Sequence, residues 1–448
     1  MRIQHKNILH LFPPVICSFV LLSASAQNAE NIINELKGIN TQIAGKPCNT
    51  KSGMAISNRA MNVFLADKTG YLSEKGDLSL YTNYVTLHSS AGTLTVNHYF
   101  QNAKGTDEPL KSLFRIGVEA NIADGFNTTW LDKKFKNELG FTLSQTWIGK
   151  VTTTFADCSN SSKQKQAMDA LRAGILHSLE MDINKKETDF KAALLSIDSA
   201  DVPGQDLSDA TNIALQNFYE DLKGEYEEKF ARLQAETLTK TKNFRHITTN
   251  WTTISCYIPL FFPSYNIATN LTTPLAEKHP CPFELSISHT RLWESSKAGR
   301  LFITVKGRLL ANNAVRGFML DKTDYTQYKN LGGTDTLRFA SLKTDEAYLG
   351  SYKTFLTPAL SARAVYFPTD SHVGFSVLLE KNFGNCNLLN GRLGIPIVLI
   401  NSKRLPAMNF EFQIAFFDMT HKISNEKKFG NKTSIGVGVG IPFSRLMF

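Results

Sequence analysis

Nine charged residues of this 448-residue chain each fall on the polar side of a segment whose other side is apolar: Arg115, Glu119, Glu284, Lys306, Arg308, Arg363, Glu380, Arg392 and Glu411. In a confined space such groups do one of two things. They pair and fill it, or they line a narrow aqueous path whose sign selects ions, here anions because bases outnumber acids. A second candidate is His88 with Ser90. A histidine two residues before a serine on one strand face can serve as general base to a nucleophile, with Asn83 or Asn97 as the orienting group. A tight turn of small residues explains His88-Ser89-Ser90-Ala91-Gly92 equally well and needs no chemistry. No Walker loop, dinucleotide fingerprint or His/Cys cluster with metal spacing occurs, so no cofactor and no metal are expected and the chain reads as non-catalytic.

The elements that must position these residues have two textures. From about Ser161 to Lys242 apolar residues recur at helical spacing, through Met168, Leu171, Ile175 and Leu179, then Ala214, Phe218, Leu222, Tyr226, Phe230 and Leu233. This predicts an antiparallel helical hairpin (161–242), broken at Asp201-Val202-Pro203-Gly204-Gln205, with Asp206 or Ser208 as the second N-cap. The hairpin either packs on itself or presents Phe218, Tyr226 and Phe230 to a partner. Nearly everything else beyond residue 77 alternates with period two. Ile435, Val437, Val439 and Ile441 share one face and Gly436, Gly438 and Gly440 the other; Phe410, Phe412 and Ile414 oppose Asn409, Glu411 and Gln413. One face wants hydrocarbon and the other water or another backbone.

Such alternation suits a transmembrane β-barrel or a soluble β-sandwich. Connection lengths favour the barrel. Short turns at Ser295–Ala298, Pro368–Asp370 and Ser402–Pro406 alternate with long stretches at Gly317–Tyr352 and His421–Thr433. The count is about twelve antiparallel strands, near 77–88, 92–102, 111–123, 139–153, 244–262, 282–294, 299–315, 354–367, 371–382, 392–401, 406–419 and 433–448. The fold class is therefore mainly β, a transmembrane barrel with an inserted helical hairpin. Four strands lie in 77–160 and eight in 243–448, and the termini and hairpin are expected on the side of the short turns. The weakest assignments are 244–262 and 282–294, where His289 and Arg291 share a face with Leu285 and Ile287, and Pro396, which cannot donate to a ladder.

Residues 1–26 supply basic Arg2 and Lys6, an apolar stretch and Ala24-Ser25-Ala26, the parts of a secretory signal peptide. Residues 27–76 would then form an N-terminal periplasmic segment with a short helix around Ile32–Leu36. In an oxidising compartment two disulfides fit this topology, one from Cys48 and Cys158 and one from Cys281 and Cys386, with Cys256 left over; spacing alone does not set the connectivity. A net charge of +9 with 42% hydrophobic residues excludes a disordered chain, and a mean hydropathy of −0.18 excludes a multi-span helical membrane protein. The basic excess is scattered, which suits lipopolysaccharide or solute contacts and not nucleic acid.

The Ala-Ser-Ala ending, the glycine-laced last strand and the terminal Leu446 and Phe448 together resemble outer-membrane β-barrel proteins of Gram-negative bacteria. The resemblance covers 77–160 and 243–448 as architecture and brings no functional motif. It implies an outer-membrane location, contact with outer-membrane lipid, delivery to the barrel assembly machinery through the strand ending at Phe448, and a helical insert open to a periplasmic protein. Pro442 and Arg445 depart from the usual ending and predict a bulge or a tail. The Ala26-Gln27 leader ending resembles exported Bacteroidota proteins, and His88 with Ser90 faintly resembles outer-membrane phospholipase A, although Ala91-Gly92 stands where that family has Asn-Gly.

Overall fold

The computed structural model describes residues 28–44, 56–69, 82–88, 93–101, 109–121, 130–131, 134–135, 139–154, 161–195, 204–270, 273–317, 319–334, 337–401, 406–420, 422 and 433–445. Twelve antiparallel strands form the wall: β1 (Thr82–His88), β2 (Thr93–Gln101), β3 (Ser112–Asn121), β4 (Leu139–Ile148), β5 (His246–Phe261), β6 (Glu284–Ser295), β7 (Gly299–Asn313), β8 (Thr354–Phe367), β9 (Phe375–Asn382), β10 (Leu389–Ile400), β11 (Pro406–Phe416) and β12 (Thr433–Arg445). Each pairs with its neighbours in sequence, and the ring closes where β12 pairs with β1, Val85 opposite Ile441. Closure removes the free edges that an open sheet would leave in a membrane.

The wall is inside-out relative to a water-soluble sheet. Outward positions carry large apolar side chains, Ile435 at 81% exposure and Phe375 at 61% among them, whereas Thr86, Thr95, Asn97, Ser288, Thr290, Asn409 and Gln413 are buried inside. Hydrocarbon in place of water as the outer solvent explains that inversion. Inside, hydroxyls pair across neighbouring strands, Thr146 with Thr253 at 2.8 Å, Thr290 with Thr304 at 2.9 Å and Ser255 with Ser286 at 2.7 Å. His289 and Arg291 do lie on the outward face with Leu285 and Ile287. Pro396 is tolerated because the β9–β10 ladder has run down there to a single bridge, Val373 with Ile397; its carbonyl still accepts from the Gly374 N–H at 2.9 Å. Pro442 falls at a bulge, where the register slips between Asn83 and Tyr84, and pairing resumes to Arg445.

One end of the barrel is trimmed to short turns such as 296–298, where Gly299 takes a positive φ of 94° open to glycine without strain. The other end carries long excursions. The stretch 317–352, read from sequence as loop, contains an antiparallel pair, Asp321–Thr334 with Leu337–Leu349, joined to a parallel pairing with Tyr265–Ala268. Polar and charged residues interrupt both alternations of these strands, so period two gave no sustained signal there.

Besides short strands at Trp130–Leu131, Lys134–Phe135, Thr152–Thr154 and Ala276–Lys278, the described chain has four helices: α1 (Ala29–Ala44), α2 (Asn58–Lys68), α3 (Ser161–Leu195) and α4 (Gly204–Thr241). The insert is the expected hairpin, except that α4 begins at Gly204, so Asp206 and Ser208 lie within its first turns and neither is the N-cap. α1 is much longer than the short helix expected around Ile32. The chain divides into two compact units. In one (1–37 and 178–227), α1, α3 and α4 form a three-helix bundle around Ile32, Leu36, Leu179, Ile183, Leu222 and Tyr226, with Phe190 stacked on Phe218 at 4.0 Å. The other (38–177 and 228–448) holds the barrel, α2 and the remaining parts of α1, α3 and α4.

Candidate functional site

The nine charged residues read from sequence all lie on inward-facing positions of their strands. They form two groups. In the first, Arg308 pairs with Glu380 and, at 3.7 Å, with Glu284. Arg115, Glu119, Glu284 and Lys306 surround a cavity of about 20 Å³, together with Thr95, Asn97, Thr142, Ser255 and Tyr257. That volume holds about one water. Arg115 is buried and committed on three sides: it donates to the Tyr84 hydroxyl at 2.9 Å and to Ser144 at 2.8 Å, and its guanidinium lies 5.9 Å from the Tyr99 ring centroid.

In the second group Glu411, only 2% exposed, faces Arg363, whose Nη2 lies 3.2 Å and 3.3 Å from its two oxygens. Glu411 also accepts from Ser376 and from Gln413 at 2.8 Å. Gly394 makes the space for this, because a Cβ there would collide with Ser376 and Glu411. A buried carboxylate with a guanidinium and two further donors is a fully satisfied network, the form in which buried charge is tolerated. Arg392 lies on the same lumen face, opposite Ala415.

The short-turn end is stoppered by α2. Ser57 caps this helix, accepting from the Ala60 N–H at 3.1 Å, while its own N–H donates to buried Gln234 of α4 at 3.0 Å. Phe64, Leu65, Met61 and Ala60 then pack with Ala231, Ala235 and Leu238 of α4 and with the inward residues Tyr99, Trp251, Leu292, Phe302 and Phe367 of the wall. At the helix C-terminus Arg300 donates to the Lys68 carbonyl, and Glu294 lies 3.2 Å from Arg300 and 3.5 Å from the Lys68 amine. Burial pushes the Lys68 amine below its ordinary pKa and nearby Arg300 adds to that, while Glu294 pulls it back up. Beside these groups a basin of about 470 Å³ opens, lined also by Lys242, Asp370 and His372. Lys242 grips Asp370 at 2.6 Å and 2.7 Å, and that hydrogen bond holds the Asp370 carboxyl below the usual carboxylate range.

Sequence reading missed α2 and the Lys68–Glu294–Arg300 set. One signal was present: Glu294 and Arg300 are directly opposite partners flanking the tight β6–β7 turn on the lumen face. The acyl-transfer candidate is not brought together among the described residues. His88 closes β1 opposite Gly438 and Thr93, and Ser90 lies outside the described residues. Asn83 spends its amide oxygen on the Tyr99 N–H at 2.6 Å, and buried Asn97 faces Gly117. The Cys281–Cys386 pairing is not formed: Cys256, Cys281 and Cys386 are free thiols, with Cys281 exposed and Cys386 buried, while Cys48 and Cys158 lie outside the described residues. Burial raises the Cys386 thiol pKa above its ordinary value. The leader and the terminal Leu446 and Phe448 also lie outside the described residues. Among the described residues no His, Cys, Asp and Glu cluster could hold a metal.

No protein-family model matches the chain, and no curated protein matches it. Solved structures similar to it include the β domain of the Bordetella autotransporter Brka, 8% identical, covering 81% of this chain and 96% of that one at a TM-score of 0.25. Another is OmpT, an outer membrane protein of Vibrio cholerae, 9% identical with 81% and 94% covered at 0.21; its trimer form is 8% identical with 81% and 97% covered at 0.23. The strand order, the closed ring and the apolar outer face of the present chain are themselves those of an outer-membrane β-barrel.

Proposed function

We propose that this protein is a non-catalytic barrel resident in the outer membrane of a Gram-negative cell, with its short-turn end and helices in the periplasm, and that it acts as a closed membrane scaffold. One observation carries the reading: charged side chains pair across the lumen, Arg308 with Glu380 and Glu284 and Arg363 with Glu411, and α2 stoppers its short-turn mouth. A porin-type channel needs a continuous aqueous path. A scaffold needs only a stable wall on which to hold its helical unit, and the three-helix bundle is then the part that meets a periplasmic partner. The strand ending at Phe448 would deliver the chain to the assembly machinery, and the long excursions would meet lipopolysaccharide.

The purified full-length protein, its closure checked by faster gel migration before boiling, should give no steady conductance in a planar bilayer. A sustained ohmic current would overturn the scaffold in favour of a channel or transporter. Lipase activity that His88→Ala abolishes would move the protein to the lipid-modifying class.

A further inference from the structure

The outer wall turns polar over a run of neighbouring outward positions on β5 and β6. Along β5 the outward side chains run apolar from Leu260 through Ile258 to Ile254, then turn polar toward the short-turn end with Thr252, Asn250 and Thr248. β6 changes at the same register: exposed Leu285 and Ile287 give way to His289 and Arg291, which lie opposite Thr252 and Asn250. The wall on the β7 side does not change there, since Ile303 and Val305, opposite Arg291 and His289, are exposed and apolar. Two tryptophans bracket the interruption, Trp147 of β4 opposite Thr252 and Trp293 of β6.

The interruption is cationic and uncompensated by the protein. No Asp or Glu occupies an outward position of β4, β5 or β6. Arg291 is exposed and makes no ion pair among the described residues; its guanidinium lies 4.7 Å from the Trp293 ring centroid. The Thr252 hydroxyl fixes His289 through Nδ1 at 3.0 Å. A cation on a lipid-facing wall is costly at depth and tolerable where headgroups begin, the level at which tryptophans also gather. The missing counter-charge must then come from the bilayer. A planar guanidinium with several N–H donors matches a phosphate better than any other lipid group.

We propose that the β5–β6 wall binds the phosphate of an anionic phospholipid in the leaflet at the short-turn end, with Arg291 as the phosphate ligand and Trp147 and Trp293 flanking the headgroup. This rests on the membrane reading above. The test places full-length protein in nanodiscs of phosphatidylcholine with a minor share of phosphatidylglycerol, then counts retained lipids by native mass spectrometry. Wild type should retain phosphatidylglycerol in preference, Arg291→Gln should weaken that retention about tenfold, and Arg291→Lys should keep part of it. Failure to enter nanodiscs would defeat the membrane reading itself. Entry without preference for phosphatidylglycerol, or with equal retention by Arg291→Gln, would overturn the site alone. A protein dimer in place of the lipid adduct, lost in Arg291→Gln, would assign the wall to a second copy and also overturn it. Should Arg291→Gln fail to close its barrel, the wild-type preference between the two lipids decides.

Discussion

The lumen of the barrel and the three-helix bundle both hold ion pairs, and the two sets are unlike in what surrounds them. In the bundle Lys37 meets Glu180 at 2.9 Å, Lys186 meets Glu225 at 2.6 Å and Lys223 meets Glu35 at 2.7 Å, with most of these side chains substantially open to water. In the lumen Arg363 and Glu411 meet at a longer 3.2 Å, yet both are largely removed from solvent and Glu411 accepts from two further donors. The shorter contact is not the stronger one. Water screens an exposed pair to about 0–1 kcal/mol, whereas a dry charge that loses its partner has nothing to replace it.

Three substitutions sharpen or break that contrast. Glu411→Ala leaves the Arg363 guanidinium stranded and should destabilise the barrel by about 3–5 kcal/mol, read as a lower urea midpoint for loss of the unboiled gel band. In the bundle, burial raises the Glu187 pKa, but hydrogen bonds from Tyr219 and Lys191 outweigh it and hold the carboxyl below its ordinary range. A depressed carboxyl contributes stability that is complete above its unfolded pKa of about 4.3 and is lost as pH falls through the folded value. Amide protection factors in 178–227 should therefore fall between pH 5 and pH 3, and Glu187→Gln should flatten that dependence. The smallest effect belongs to Lys186→Ala, about 0.5 kcal/mol or less by the same exchange measurement. Equal costs for Glu411→Ala and Lys186→Ala would mean that the lumen is wet, and the contrast would collapse.

The two regions also differ in how plainly the sequence announced them. Each wall strand carries its own signal, because a side chain must choose hydrocarbon or lumen at every second position; Phe412 against Glu411 is enough to orient β11. The charges therefore came with their facing, and Pro442 came with its bulge. Their partners did not. Arg308 reaches Glu380 two strands away, a contact set by barrel curvature and register and not by local spacing. α2 was missed for a related reason. It is short, and both the α4 residues and the barrel residues that bury its apolar side chains lie far away in sequence. Arg291 was the opposite case, an anomaly in its strand's pattern that is real in the wall.

α2 precedes β1 in the chain, and β1 is one half of the seam that shuts the ring, Val85 lying opposite Ile441. Pairing across so long a sequence separation is slow and comes late in assembly. The stopper segment is therefore at hand before the ring shuts and is enclosed as it does, with no threading afterwards. A ring that shut early would leave Trp251, Phe302 and Phe367 facing water at its mouth. Correct timing is thus written into the surface of the product, and a mistimed molecule would bear an apolar mark by which a chaperone or protease could tell it apart.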